Sequence, residues 1–324
     1  MMPAQMPTDS PTSLDALLRC PVTGQPLVPD ASGFVTADGT RRYPLSPGGV
    51  PMFAGEDLSA ASASQRAHYD HIQTLYVENL AQPYTQEYTQ ALDDVFRDEL
   101  ARLEGAPDAS LGAIAEICCG TGEALHMLRG RFSAGIGVDV SVRMLESARA
   151  TFKPSDRVMF VQGDALRLPI ASDSLDHAFI FGGVHHVPDR DGLFREAFRV
   201  LRPGGRLYFR EPVSDFVLWR ALRAVVYRLS PMLDHENERP LLYDETAPPL
   251  ERAGFTVESW RTCGFLGFCL FMNSDVLVFN RALRYLPKIR ELTRAAARFD
   301  DWCIALPGLA RSGLQVVGAA RKPL

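Results

Sequence analysis

The stretch A-E-I-C-C-G-T-G-E-A, residues 115–124, decides the predicted fold. Apolar residues from position 111 onward predict a short strand that ends at Ile117. The small residues from Cys118 to Gly122 predict a tight turn, and the pattern over 123–130 predicts a helix after it. A glycine turn between a strand and a helix lets a ligand approach bare backbone. We therefore expect a nucleoside-cofactor site at this turn.

Strands and helices alternate downstream of this turn. Further strands are predicted at 134–138, 157–162, 175–181, 206–210, 255–260 and 314–320, and helices at 142–152 and 191–201. Such alternation is typical of right-handed crossovers and of an α/β, doubly wound, mostly parallel sheet, here of seven strands. Ligands of such a sheet lie at the carboxyl ends of its strands.

The bulk composition limits the class of protein. The chain has 324 residues, 46% of them hydrophobic, and a net charge of -5, which argues against a general nucleic-acid binder. The first ten residues have neither a basic leader nor an apolar core, and the longest apolar segment, 262–274, is far shorter than the roughly 20 residues that span a bilayer. We expect a cytoplasmic protein without a transmembrane segment.

The cysteines give no sign of a disulfide framework or of a zinc site. Six cysteines are scattered along the chain, and no two of them form a C-x-x-C pair. The adjacent Cys118 and Cys119 are expected to be buried structural thiols rather than a redox pair. We predict no metal site.

The run 113–212 contains five motifs in sequence: E-I-C-C-G-T-G-E, G-V-D-V-S and G-D-A-L-R-L-P-I, followed by F-G-G-V-H-H-V and V-L-R-P-G-G-R-L-Y-F-R-E-P. On these motifs the run resembles a class I S-adenosylmethionine-dependent methyltransferase. These motifs stand in the family's order over about a third of the chain. The resemblance implies S-adenosylmethionine as cofactor, and a sixth and seventh strand paired as an antiparallel hairpin at the sheet edge.

The resemblance also implies roles for residues at the strand ends. Asp139 would accept hydrogen bonds from both ribose hydroxyls, since a carboxylate offers two acceptor oxygens. Asp164 would bind the adenine amino group, with Ala165 and Met144 on the two sides of the ring. Phe181 would face the sulfonium. The predicted cofactor-binding set is Glu116, Cys118, Gly120, Gly122, Asp139, Val140, Met144, Asp164, Ala165 and Phe181.

A dinucleotide-binding domain is the rival interpretation of the glycine turn. Its fingerprint has a further glycine two residues after the second, where the helix approaches a pyrophosphate. Here the turn continues with Glu123, and a carboxylate beside a pyrophosphate would repel it. A cofactor without phosphate therefore fits better.

Three residues are candidates for catalysis: His185, Tyr69 and Glu211. Methyl transfer needs mainly alignment and desolvation, and a base only when the acceptor is poorly acidic. His185, with His186 beside it, follows the fourth strand and titrates near neutral pH, although H-H-V-P is also typical of a turn in which one imidazole caps backbone groups. Tyr69 belongs either to a lid over a cationic cofactor or to a helix that packs on the sheet. Glu211 binds an acceptor or pairs with an arginine.

The segment before the sheet is expected to form two parts. Residues 1–58 resemble a small Trm112-like zinc-ribbon module, on the matches at Leu17, Leu18, Cys20 and Tyr43. Only Cys20 stands where that family places a zinc ligand, and a tetrahedral site needs about four, so we expect a metal-free module. Residues 59–105 are expected to be lid helices, and 106–324 the cofactor-binding domain.

The C-terminal part departs most from the family pattern. A helix is predicted at 215–229, then a polar loop at 230–249 in which Asp234, His235, Glu236 and Glu238 form a solvated cluster rather than a metal site. An insertion at about 261–312 holds the apolar F-L-G-F-C-L-F-M and a basic amphipathic helix pair interrupted at Pro287. It would pack on the domain, roof an acceptor pocket, contact a membrane or form a dimer interface.

We therefore expect an S-adenosylmethionine-dependent methyltransferase of a small-molecule, apolar or lipid-like acceptor, with no nucleic-acid partner. Two alternatives stay open. One is an enzyme that breaks another carbon–sulfur bond of the cofactor, by aminocarboxypropyl transfer or by cyclisation that releases methylthioadenosine. The other is a noncatalytic cofactor-binding partner protein.

Overall fold

The computed structural model describes residues 14–55, 58–221, 239–272 and 278–324. Its main feature is a seven-stranded sheet. The strands are β4 Ala113–Ile117, β5 Ala134–Asp139, β6 Val158–Gln162, β7 Leu175–Phe181, β8 Leu201–Pro212, β9 Thr256–Cys263 and β10 Gln315–Arg321, in the order β6-β5-β4-β7-β8-β10-β9. The predicted α/β sheet is confirmed and each predicted strand overlaps one of these, although β8 begins at Leu201, before the predicted start at 206.

β4 lies in the middle of the parallel part of the sheet. It pairs with β5 on one side and with β7 on the other, both in parallel. Ala115 and Ile117 belong to the core on one face of the sheet and Ile114 to the core on the other, so β4 is covered on both faces. Because the strand order reverses between β4 and β7, the crevice at their carboxyl ends is the expected ligand site.

β10 pairs in antiparallel orientation with both β8 and β9. The predicted antiparallel pairing of the last two strands is therefore confirmed, although an insertion separates them in the chain. That insertion holds α8 Leu266–Phe271, a 3₁₀ helix Val278–Tyr285 and α9 Ile289–Ala305. The predicted interruption at Pro287 is confirmed, since the chain leaves the 3₁₀ helix before this residue and enters α9 after it.

Helices cover both faces of the sheet. They are α1 Leu14–Leu17, α2 Ala60–Leu80, α3 Pro83–Glu104, α4 Glu123–Met127, α5 Val142–Arg149, α6 Arg190–Val200 and α7 Tyr243–Arg252. α2 and α3 are separate because the chain enters α3 through an extended Gln82 with Pro83 in its first turn, which cannot continue α2. Within the described ranges, no helix is long and apolar enough to cross a membrane.

The loop predicted at 230–249 is wrong over its second half. α7 begins at Tyr243 and contains Pro248 and Pro249, with Asp244 and Glu245 in its first turn. Burial of Leu250 and Ala247 offsets the hydrogen bonds that the prolines cannot make. The cluster Asp234 to Glu238 lies outside the described residues, as does the predicted helix 215–229 beyond residue 221.

The first residues form a small antiparallel sheet of β1 Leu27–Asp30, β2 Gly33–Thr36 and β3 Arg42–Pro44. The Phe53 amide donates to the Gln162 carbonyl at 2.9 Å, which attaches this part to the edge strand β6. Cys20 Sγ lies 2.9 Å from the Tyr43 hydroxyl. Among the residues that the structure describes, no group of three His, Cys, Asp or Glu side chains is placed to hold a metal. The likeness to a zinc ribbon stays a prediction.

Candidate active site

The turn after β4 is built from left-handed backbone. Cys118, Gly120 and Gly122 have φ angles of 55°, 49° and 82°. A side chain added at Gly120 would meet no protein atom within 4 Å, whereas one at Gly122 would lie 3.2 Å from the Phe160 ring. Gly120 therefore leaves space for a ligand, and Gly122 lets α4 pack closely on the sheet.

Glu116 stabilises this turn through hydrogen bonds to the backbone that follows it. Its carboxyl group is buried and accepts hydrogen bonds from the amides of Ala124 and Leu125, each at 3.0 Å. Amides in the first turn of a helix have no acceptor within the helix, and this end of a helix attracts negative charge. Burial nevertheless raises the pKa of Glu116 to about 8, because desolvation disfavours the carboxylate.

Asp139 closes β5 with both carboxylate oxygens aligned by backbone. Oδ2 accepts from the Gly120 amide and Oδ1 from the Ser141 amide, each at 2.8 Å. Burial raises its pKa above the usual range of an aspartate, and these two amides act in the opposite direction. The side chain is thus pre-oriented beside the glycine turn before any ligand binds.

A cavity of about 370 Å³ opens at the carboxyl ends of β4, β5 and β7. This volume is within the range of small-ligand pockets. Of the predicted residues, Tyr69, Glu116, Cys118, Gly120, Asp139, Val140, Met144, Asp164, Ala165 and Phe181 line it. Gly122, His185 and Glu211 are not among the lining residues.

α2 covers this cavity and contacts its rim at several points. Ser62 Oγ donates to Asp164 Oδ2 at 3.2 Å, and Ser141 Oγ donates to Asp70 Oδ1 at 2.6 Å. Ser59, Ser62 and Gln65 also line the cavity, and the sequence analysis missed them. Short polar residues on a long helix carry no pattern that separates a ligand contact from a solvated surface.

The two adjacent histidines point to different partners. His186 lines the cavity, and its Nε2 lies 2.7 Å from the Tyr69 hydroxyl of α2. His185 Nδ1 instead lies 2.7 Å from Glu211 Oε2, away from the cavity lining. The short 3₁₀ helix Val184–His186 causes this divergence, because consecutive residues on it face different directions. The cavity position predicted for His185 is therefore held by His186.

Glu211 is fully buried and acts on the backbone of the same turn. It accepts from the amides of Gly183 at 2.7 Å and Val184 at 2.8 Å, besides its contact with His185. Burial raises its pKa to about 7. Of the two expected roles, pairing with an arginine is not what its contacts show. Glu211 fixes the histidine turn instead.

Arg210 is a buried residue that the sequence analysis missed. Its guanidinium donates to Asp93 Oδ1 at 2.6 Å and to Glu123 Oε2 at 2.8 Å, and its Cζ lies 4.4 Å from the centroid of the Phe181 ring. Phe181 and Glu123 both line the cavity. Burial lowers the pKa of Arg210, but the two carboxylates outweigh burial and the net pKa is raised. A charged residue inside the apolar run L-Y-F-R-E-P was the available signal.

The side chains that line the cavity fit a nucleoside without phosphate groups better than they fit a dinucleotide. An oriented carboxylate at Asp139 suits ribose hydroxyls, and the buried Met144 and Ala165 offer apolar surface for a base. The acidic side chains of Glu123, Asp139 and Asp164 line the cavity. These acceptor groups suit a cationic ligand and oppose a pyrophosphate. The cavity therefore fits S-adenosylmethionine.

Comparison with known proteins agrees with this geometry. Residues 115–209 match the family model described as a methyltransferase domain. The chain is 34% identical over 157 residues to the 27-O-demethylrifamycin SV methyltransferase of Amycolatopsis mediterranei, covering 47% of this chain and 56% of that protein. It is 39% identical over 100 residues to the demethylmenaquinone methyltransferase of Lactococcus lactis, covering 29% of this chain and 40% of that one. The chain thus spans about half the length of these relatives.

The fold is shared with solved structures. The crystal structure of the cyclase SpnF superposes with a TM-score of 0.58 at 22% identity, covering 84% of this chain and 99% of that chain. At this identity the likeness concerns the fold alone.

Proposed function

We propose that this protein transfers the methyl group of S-adenosylmethionine to a hydroxyl group of a small, largely apolar molecule. The match of residues 115–209 to a methyltransferase domain and the mostly parallel seven-stranded sheet support this proposal. The observation that carries the proposal is the 2.7 Å contact between the Tyr69 hydroxyl and His186 Nε2 at the cavity. This contact supplies a group able to move a proton where an acceptor would lie beside the cofactor.

Four residues would hold the cofactor. Asp139 would bind the ribose hydroxyls, Asp164 the adenine amino group, and Met144 and Ala165 the faces of the ring. Gly120 would let the backbone approach the ligand, since nothing of the protein occupies the space beside it. When bound, the cofactor supplies a methyl carbon activated by an adjacent positive sulfur.

The residues of the protein would align the acceptor with the cofactor, exclude water and accept a proton. α2 lies over the cavity and shields it from solvent, which favours displacement between the bound groups. A hydroxyl acceptor must lose a proton, and His186 Nε2 accepts it directly or through the Tyr69 hydroxyl. Glu211 holds the backbone of Gly183 and Val184 and thereby positions the histidine turn.

The class of acceptor follows from the relatives and from the site. The name of the first relative refers to a 27-O-demethylrifamycin, an acceptor that takes the methyl group on oxygen. A base such as His186 is needed for a poorly acidic hydroxyl and not for a more nucleophilic acceptor. We therefore propose oxygen methylation of an apolar ring-containing metabolite.

Two experiments test this function in sequence. Calorimetric titration with S-adenosylmethionine and S-adenosylhomocysteine should show binding of both. Incubation with the cofactor and 27-O-demethylrifamycin SV should then give a product heavier by one methyl group in mass spectrometry, with the new methyl group bound to oxygen. Absence of binding would overturn the cofactor assignment. Release of methylthioadenosine without an acceptor would instead establish cleavage of another carbon–sulfur bond.

A further inference from the structure

The outer face of α9 carries large apolar side chains. Leu292, Phe299 and Trp302 are 50%, 46% and 59% exposed, and their spacing of seven and three residues places them on one side of the helix. The ring centroids of Phe299 and Trp302 lie 5.8 Å apart. Single exposed apolar residues are common, but three large ones on one side of a helix, two of them in contact, are a candidate interaction surface.

α8, which packs beside α9, adds two exposed leucines to the apolar residues of α9. A Cβ atom added at Gly267 would lie 2.9 Å from the Ala296 Cβ, so the two helices are packed closely together. Leu266 and Leu270, four residues apart on α8, are each 48% exposed. We call the surface made of Leu266, Leu270, Leu292, Phe299 and Trp302 the apolar strip.

Basic residues accompany the apolar strip. The segment 281–302 contains six basic residues and three acidic residues, although the whole chain has a net charge of -5. Two of the basic residues, Arg290 and Arg294, are ion-paired with Glu87 of α3. Arg284 and Lys288 are exposed just before α9, and Tyr285 between them is 75% exposed. Arg298 is exposed on α9 one residue before Phe299. Arg284, Lys288 and Arg298 are thus exposed cations on or just before the helix that carries the apolar strip, in a chain whose net charge is -5.

We propose that the apolar strip docks this protein on an anionic membrane surface. Exposed Trp and Tyr side chains favour the headgroup region, because their rings are apolar and their N–H or O–H groups need water. Lys and Arg beside them are attracted to anionic lipids. A helix such as α9, with an apolar outer flank and basic neighbours, lies in the plane of the interface and does not cross it.

Charge argues against a second copy of the chain as the occupant. In a twofold symmetric dimer the same patch meets itself, so Arg284, Lys288 and Arg298 would approach the same cations of the second copy. Such like charges repel across a contact, whereas an anionic lipid surface complements them. Membrane docking is a property separate from the methyl transfer proposed above. Because vesicle binding is measured without any methyl acceptor, its result does not depend on that proposed activity.

Flotation of the full chain with vesicles tests the docking. One vesicle preparation is phosphatidylcholine alone and the other contains equal parts of phosphatidylcholine and phosphatidylglycerol. We expect the protein to float with the second preparation, and added salt to reduce binding. Failure to bind phosphatidylglycerol vesicles, or equal binding to both preparations, would overturn the proposal.

Matched variants locate the surface. Phe299→Ser with Trp302→Ser should lower vesicle affinity by about tenfold, because two aromatic groups no longer leave water. Val22→Ser with Leu45→Ser is the control, since these residues are 46% and 41% exposed outside the strip. Unchanged binding by the first pair would place the contact elsewhere and refute the strip.

A second pair of variants tests the charges. Arg284→Gln with Lys288→Gln should weaken binding to phosphatidylglycerol vesicles. The control pair Lys153→Gln with Arg195→Gln, also at exposed residues, should not.

Sedimentation without lipid measures the oligomeric state of the chain. A dimer of the wild type that the strip variant dissociates, together with no vesicle binding, would make a second copy the occupant. Calorimetry with S-adenosylhomocysteine on the same samples shows whether the cofactor site is intact, independently of docking.

Discussion

The Tyr69 hydroxyl and His186 Nε2 lie 2.7 Å apart, and this contact joins α2 to the turn after β7. The two residues are 117 positions apart in the chain, and their rings meet edge to face with centroids 5.4 Å apart. Both line the same cavity as Asp139 and Phe181. The contact therefore places a proton acceptor and the covering helix at one point of the proposed reaction site.

Replacing His186 should slow turnover without weakening cofactor binding. His186→Asn removes the imidazole that accepts the proton, and loss of a general base typically costs about 10²–10⁴-fold in rate. Tyr69→Phe should reduce kcat by a smaller factor, since it removes one hydroxyl. The readouts are kcat and the dissociation constant of S-adenosylhomocysteine. His185→Asn is the matched control, and a larger loss of kcat in that variant would return the base to His185.

Asp139 should determine cofactor affinity. Asp139→Ala removes the carboxylate that would accept from the ribose, and charged hydrogen bonds of this kind are each worth roughly 1.5–3 kcal/mol. Calorimetry should therefore show a loss of S-adenosylhomocysteine affinity of at least tenfold, by the conversion of about 1.4 kcal/mol per factor of ten. Asp108→Ala, a change at a surface aspartate, should leave affinity unchanged. Wild-type affinity in the Asp139 variant would refute the ribose assignment.

Arg210 should be required for stability through its two carboxylate partners. Arg210→Met leaves Asp93 and Glu123 without the buried cation, which typically costs about 3–5 kcal/mol. Urea unfolding should show this loss, and the added change Asp93→Asn should restore part of it because one unpaired charge is removed. A double variant less stable than Arg210→Met would show that charge pairing is not the cause.

Glu116 predicts how stability depends on pH. Its pKa is about 8 in the folded protein against 4.5 for the ordinary side chain, so the folded state binds the proton more tightly than the unfolded state. The resulting stability is fully present below pH 4.5 and is lost as the pH rises through about 8. We expect the free energy of unfolding without cofactor to fall across this range.

The variant Glu116→Gln isolates that contribution. Gln cannot ionise, so the fall in stability between these pH values should be smaller than in the wild type. Urea unfolding at several pH values measures both slopes. Identical slopes would show that Glu116 does not cause the loss. Glu146→Gln, at a more exposed carboxylate, should keep the wild-type slope.

The residues of the candidate site were predicted only in part from the sequence. The motif positions Gly120, Asp139 and Asp164 line the cavity as predicted, because strand ends in a parallel sheet meet at one edge. His185 and His186 are indistinguishable in the sequence, and only the direction of a 3₁₀ turn separates their partners. The helix α7 was missed because its prolines are typical of a loop, and burial outweighs that preference.

The sequence by itself determined the strands of the seven-stranded sheet, the glycine turn after β4 and the acidic residues at the strand ends. These features depend on short-range patterns of apolar, small and acidic residues, which the chain carries locally. Tertiary structure alone decided that α2 covers the cavity, that Tyr69 meets His186, and that Arg210 lies between Asp93 and Glu123. Those contacts join residues about a hundred positions apart, and such pairs form only when packing of the sheet and helices brings them together.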